Sequence, residues 1–434
     1  MDNFSNFSGI GPVNFAVRAA AIMSVIGLVL VLGFPAFAAD IVPVPVPDAT
    51  PEALAYNRDL NLLWIADAVF TVGVPILFLA TGWAGAICAW CRRMVGGNWF
   101  WTVTFFSVVY AVLVFLIGLP LQYIHEFAHE HAYGLSNQSL GKWAGNTAIQ
   151  LGVSLIVTAA VMWIPYLLLK RSPKRWWIWS IFALAPILLF IIVASPVWVD
   201  PLMNTFEPLK DQQLEAAIQE QATRSGIGDA TILERDASTD SKRLGAYVNG
   251  LGPSKRIVLF DTLVAKLDQP EILFVVGHET KHYIMNDVWK LFGLIITILV
   301  IGLWATDRIS RAVIARWHTR LGFTSLADPA SQPLLTLCVS LVFILAGPGF
   351  NWVSRDIEHE ADRYGLEITQ NNHAAASAFV KLQEEGLGVP DPGIFQRIFR
   401  LDHPALADRI RFANEYHPWE EGKPLVYADQ IKPK

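Results

Sequence analysis

Long apolar runs separated by short polar turns cover most of the chain. The first, residues 19–39, has about the 20 residues that a bilayer crossing requires. It closes on Ala36-Phe37-Ala38, a small-x-small pattern, so it reads as either a cleavable leader or a first membrane helix. Val-Pro-Val-Pro-Val-Pro follows at 42–47 as a stiff extended linker. Further apolar runs at about 60–90, 100–121, 148–169, 176–197, 289–304 and 334–350 bring the number of predicted spans to seven.

Two stretches break this pattern with shorter periods. Within 199–288, Leu214, Ala217, Ile218 and Ala222 recur at helical spacing between Asp211 and Gly226. Ala230 to Leu233 reads as a strand, and Leu244 to Val248 with Arg256 to Phe260 as a hairpin turning at Asn249-Gly250. Asp268 and Pro270 then open a helix that is expected to run on unbroken into the sixth span. After the seventh span, helices are expected to start at Ser354, over 374–384 and from His403-Pro404 to about 414, followed by an irregular tail. The predicted parts are 1–39, a first span or leader; 40–198, spans two to five; 199–288, a small α+β catalytic domain; 289–350, spans six and seven; and 351–434, a C-terminal part.

Composition agrees with a membrane protein carrying water-exposed parts. Of 434 residues, 53% are hydrophobic and 16% charged, against about 25% charged in soluble domains, and mean hydropathy is +0.39. A net charge of −5 without a basic tract gives no sign of nucleic-acid binding. Three cysteines are too few for a disulfide framework, and Cys88-x-x-Cys91 at the end of an apolar run reads as packing. Arg18, Arg92, Arg93, Lys170, Arg171, Lys174, Arg175, Arg308, Arg311, Arg316 and Arg320 fall on one side of seven spans, while the opposite short loops carry only Arg58 and Lys142. Basic loops mark the cytoplasmic side, so residues 199–288 and the C-terminal part are expected on the outer face.

The chemistry concentrates at His278-Glu279-Thr280-Lys281-His282. On a helix, positions i and i+4 share a face, so both imidazoles can reach one metal ion while Glu279 serves as general base toward water. The same pattern recurs at His125-Glu126-Phe127-Ala128-His129, where the third span ends. No third-ligand helix accompanies that copy, which reads as a polar collar at the membrane surface. The first copy has one: Glu358, with Asp362 four residues on. Glu358 can complete a two-His, one-Glu zinc site, and Asp362 can accept the N–H of a ligand histidine. His403 reads equally as a helix cap or as a donor to an oxyanion, and Arg409 can pair with a site carboxylate. The strand at 244–248 suits an edge on which an extended peptide is held through its main chain, or a plain structural hairpin.

Together these residues resemble the type I CAAX prenyl proteases, gluzincin-type membrane metallopeptidases with seven helices around a chamber. The likeness runs through Gly118-Leu119-Pro120, His131 to Gln138, Asp200-Pro201-Leu202, Phe206-Glu207-Pro208-Leu209, Lys255 to Leu263, Ser354 to Asp362, His403-Pro404 and Arg409. The resemblance implies one Zn2+ per chain on His278, His282 and Glu358, Glu279 as catalytic base and Asp362 behind a ligand. It also implies His403 and Arg409 near the transition state, and substrate along Gly245, Ala246 and Tyr247. It places 125–129 in a loop away from the metal helix. Two positions depart from the family: Lys281 stands where a small residue is usual and is expected to crowd or tune the site, and Gly245 replaces a substrate-binding Asn.

The expected protein is mainly α, a seven-span membrane metallopeptidase with a small zincin-like domain. It is expected in a bacterial inner membrane, with its site on the periplasmic side. Its expected partners are a polypeptide substrate and the lipid bilayer, with no nucleic acid. Genuine CAAX processing and a catalytically silent metal-binding scaffold are the alternatives.

Overall fold

The computed structural model describes residues 42–250 and 254–433. The predicted first span, 19–39, lies outside them. The membrane part comprises α1 (Pro51–Ala80), α2 (Trp83–Met94), α3 (Trp99–Gln122), α4 (Leu140–Val161), α5 (Trp163–Arg171) and α6 (Trp176–Ala194). Six stretches among the described residues are long and apolar enough to cross a membrane: Pro51–Ala80, Trp99–Ala132, Leu140–Arg171, Trp176–Ala194, Asp287–Leu321 and Pro329–Thr369. They match the second to seventh predicted spans. The run expected over 60–90 starts earlier and breaks at Thr81-Gly82, because Gly82 takes a left-handed φ of 73° between α1 and α2. A cavity of about 460 Å³ opens among the spans, lined in part by Tyr110, Thr147, Gln150, Gln332 and Ser340.

Between the fourth and fifth of these spans lies a small α+β unit: β1 (Phe206–Pro208), α7 (Gln212–Arg224), β2 (Thr231–Arg235), β3 (Ala246–Asn249), β4 (Arg256–Phe260), α8 (Asp261–Lys266) and α9 (Gln269–Ile284). The Asp211 side chain caps α7 by accepting from the Gln213 and Leu214 amides. The sheet order is β1-β2-β4-β3, so β3 is an edge. β3 and β4 are antiparallel with Ala246 opposite Leu259, which bears out the predicted hairpin, its second strand as expected and its first starting two residues later and ending one later. Apolar residues of β4, α7 and α9, among them Ile257, Leu259, Ile218, Ile272 and Val276, bury against one another as one core.

Two long helices carry the chain back to this unit: α10 (Asp287–Leu321) and α11 (Gln332–Thr369). Then come α12 (Asn372–Glu385), α13 (Ile394–Phe399) and α14 (Leu406–Glu415). Two boundaries differ from expectation. The helix of the His-Glu-x-x-His does not flow into the sixth span, because Asn286 adopts a left-handed φ of 56° between α9 and α10. The helix predicted to open at Ser354 is instead the continuation of the seventh span, 38 residues without a break. Val44, in the predicted linker, is pinned: its amide donates to Asn414 at 3.0 Å and its carbonyl accepts from Asn414 at 2.9 Å.

The crossing of α9 and α11 sets the site. A Cβ on Gly277 would come within 2.9 Å of Ile368 Cγ2 and 3.2 Å of Gly365 Cα; one on Gly365 would meet the Phe274 ring at 2.9 Å. Glycines on both helices thus allow the close approach that brings His278 beside Glu358. Gly365→Val overpacks this crossing, and the expected loss is about 2–3 kcal/mol of stability, read as a lowered thermal midpoint in detergent; an unchanged midpoint contradicts the packing argument.

Candidate metal centre

α9 presents His278 and His282 one turn apart, and α11 presents Glu358 to both. One potential ligand atom from each of the three lies within 4.8 Å of the other two, the group among the described residues with spacing for a metal ion. Nε2 of His278 is 3.0 Å from Glu358 Oε2, and Nε2 of His282 is 3.3 Å from Nε2 of His278 and 3.5 Å from Glu358 Oε1. Two imidazole nitrogens and a carboxylate converging in this way make a donor set that suits zinc.

The opposite ring nitrogens are both engaged. Nδ1 of His278 is 2.9 Å from Asp362 Oδ1, and Asp362, fully buried, accepts two hydrogen bonds from Arg409 at 2.8 and 2.6 Å. Nδ1 of His282 is 3.0 Å from Asp287 Oδ2. With Nδ1 of each ring facing a carboxylate, Nε2 of each ring is turned toward the cluster. Burial opposes the charge on His282, yet its contacts with Asp287 and Glu358 prevail and push its pKa up to about 9. Burial raises the Glu279 carboxyl above its ordinary range, with His278 and His282 opposing. His403 also reaches the cluster: its Nε2 is 3.0 Å from Glu358 Oε2 and its Nδ1 2.9 Å from Asp402. Burial opposes its charge, and the two carboxylates push its pKa up to about 9.

Lys281 does not crowd the candidate ligands. Its ammonium turns away to Asp287 Oδ2 and to the Ile357 carbonyl, each at 2.8 Å. Asp287 escaped the sequence reading because it sits beyond a helix break that was not foreseen. The signal was there in outline: an Asn-Asp pair just after the motif and before an apolar run is a helix-start pattern. Gly245 lies just before β3, where the Phe260 ring occupies the space a Cβ would take, its nearest atom at 2.7 Å. The Phe260 amide donates to the Gly245 carbonyl at 3.0 Å, so alternation leaves the main-chain groups of Ala246 and Val248 on the free side of the edge, and those of Tyr247 toward β4.

The second His-Glu-x-x-His stands apart. Residues Tyr123–His129 are π-helical; His125 Nδ1 pairs with Asp67 at 3.1 Å, and His129 is buried with its ring stacked on Tyr56 at 4.9 Å. Cys88 and Cys91 are both buried.

The profile of peptidase family M48 matches residues 208–417, and that of the CAAX prenyl protease N-terminal region, five membrane helices, matches 46–205. A Bacillus subtilis metalloprotease, YhfN, is 33% identical over 375 residues, 85% of this chain and 86% of its own. CAAX prenyl protease 1 of Saccharomyces cerevisiae is 26% identical over 315 residues, 68% of each chain. The crystal structure of Ste24p from S. mikatae superposes with a TM-score of 0.75 at 20% identity, covering 87% of this chain and 93% of that one. The chain belongs to peptidase family M48 and is an integral membrane metalloendopeptidase related to the CAAX prenyl proteases.

Proposed function

We propose that the metal is zinc, one per chain, held by His278, His282 and Glu358, and that the protein cleaves membrane or periplasmic polypeptides. The observation that carries this reading is the convergence of two imidazoles and one carboxylate within 4.8 Å of one another, each imidazole backed by its own carboxylate. Zinc there supplies the Lewis acidity that polarises a peptide carbonyl and lowers the pKa of water. Glu279 takes a proton from the attacking water and hands it to the leaving amine; its raised pKa suits both halves of that transfer. His403, held by Asp402, donates from Nε2 to the oxyanion. The substrate lies extended along β3, bonded to the free main-chain groups of Ala246 and Val248. An apolar pocket of about 210 Å³ beside His282, lined by Leu189, Val193, Val248 and Trp289, accepts one apolar side chain next to the scissile bond.

Helix length and loop charge together support an outward-facing site. α10 runs from Asp287 beside the site to Leu321 and bends at Trp317, so Arg308 to Arg320 fall in its far half, roughly 30 to 50 Å along from the site end. Basic loops mark the cytoplasmic side, which supports a site on the periplasmic face of a bacterial inner membrane.

Purified protein is expected to carry about one zinc per chain and to cleave an unfolded apolar peptide, with cleavage lost on chelation and restored by zinc. Zinc-loaded protein that cleaves nothing overturns this reading. Relatives named CAAX prenyl protease 1 favour a second: genuine processing of prenylated C-termini. That requires a cytoplasmic site, and a reporter fused after residue 434 separates the two by the side on which it is active.

A further inference from the structure

The two ligand histidines are each backed by a carboxylate, but the carboxylates are held differently. Behind His278, Asp362 is gripped by Arg409 from α14. Behind His282, Asp287 is the first residue of α10, brought back against α9 by the left-handed turn at Asn286. Asp287 and Lys281 are each 2% exposed. Asp287 Oδ2 faces both His282 Nδ1 at 3.0 Å and Lys281 Nζ at 2.8 Å, while Oδ1 accepts from Lys290 at 2.7 Å. The Lys281 ammonium spends another hydrogen on the Ile357 carbonyl, one residue before Glu358.

We propose that Lys281 and Asp287 are positioning residues of the metal centre: Asp287 fixes the ring of His282, and Lys281 locks Asp287 to the turn of α11 that carries Glu358. This inference rests on the zinc reading above. A lysine in place of a small residue inside the motif thereby joins three helices, α9, α10 and α11, at one ammonium group. The joint adds to the glycine crossing of α9 and α11 a polar tie at the turn that carries Glu358, and so helps set the distance between the second and third ligands. A carboxylate taken out of water needs such compensation, because Lys290 is half exposed and holds it from the solvent side only.

The test uses full-length protein in detergent, stripped of metal and titrated with zinc against a chromophoric chelator. The variants are Lys281→Met, Asp287→Asn and the double variant, which removes both charges of the buried pair and so keeps the fold where a lone buried carboxylate endangers it. All are expected to bind zinc roughly 10- to 100-fold more weakly than wild type, the range for loss of a group that orients a ligand. The double variant is expected to be no worse than Asp287→Asn, since both residues act through one contact. Cobalt-substituted protein is expected to show an altered visible spectrum, and kcat to fall at unchanged KM. A double variant that binds zinc within about twofold of wild type and keeps the cobalt spectrum overturns the proposal. Failure of wild type itself to bind zinc overturns the reading beneath it, so the two failures are distinct.

Discussion

Glu279→Gln is expected to abolish peptide cleavage while leaving zinc in place. The substitution keeps side-chain shape and removes a proton acceptor. Glu279 is not one of the three residues, His278, His282 and Glu358, whose potential ligand atoms converge, so metal affinity is expected to be unchanged. General-base catalysis contributes typically 10²–10⁴-fold, so kcat is expected to fall by about that factor, roughly 3–5 kcal/mol in barrier height. Zinc content by atomic emission and turnover of an unfolded peptide check both halves in one preparation. Retained turnover with retained zinc removes Glu279 from the mechanism. Loss of zinc instead means that Glu279 is a ligand and the assignment of Glu358 is wrong.

The second large effect is at Arg409. Its guanidinium grips both oxygens of Asp362 and lies 4.2 Å from the centre of the Phe379 ring. Arg409→Met leaves a fully buried carboxylate with His278 as its remaining partner. Breaking one side of a buried pair costs about 3–5 kcal/mol, a large share of the stability of any domain. The companion variant Asp362→Leu/Arg409→Met removes both charges, and most of the stability is expected to return. Zinc affinity is not expected to return with it, because His278 has lost the acceptor that orients its ring. Denaturation midpoints and zinc titrations of the two variants separate folding from ligand orientation. Recovery of both quantities in the double variant makes Asp362 a structural group only.

Much of the site was legible because its signals are local. Two histidines four apart and two acids four apart each declare a shared helix face, whatever the rest of the chain does. Asp211 and Asp268-Gln269-Pro270 announced the starts of α7 and α9 correctly. What escaped depends on backbone turns that leave little trace in sequence. Asn286 ends a helix with a left-handed residue between two strongly helical patterns, and without that turn Asp287 has no path to His282. The direction of Lys281 followed the same omission: a lysine inside the motif reads as an intruder until its acceptor is known. The opposite error occurred at Ser354, where polar residues after an apolar run suggested a new helix. The period of 3.6 continues through them, and the span extends into the site. Gly245 looked like the loss of a substrate contact; its neighbour Phe260, packed where a side chain would stand, gives a reason for the glycine.

Two copies of one five-residue pattern share this chain, and His278 and His282 of one copy converge with Glu358. The most direct test is the zinc content of purified wild-type, His278→Ala and His129→Ala proteins, measured with folding verified by circular dichroism. The prediction is about one zinc per chain in wild type and in His129→Ala, and a loss of stoichiometric zinc in His278→Ala. Zinc retained in His278→Ala and lost in His129→Ala contradicts it.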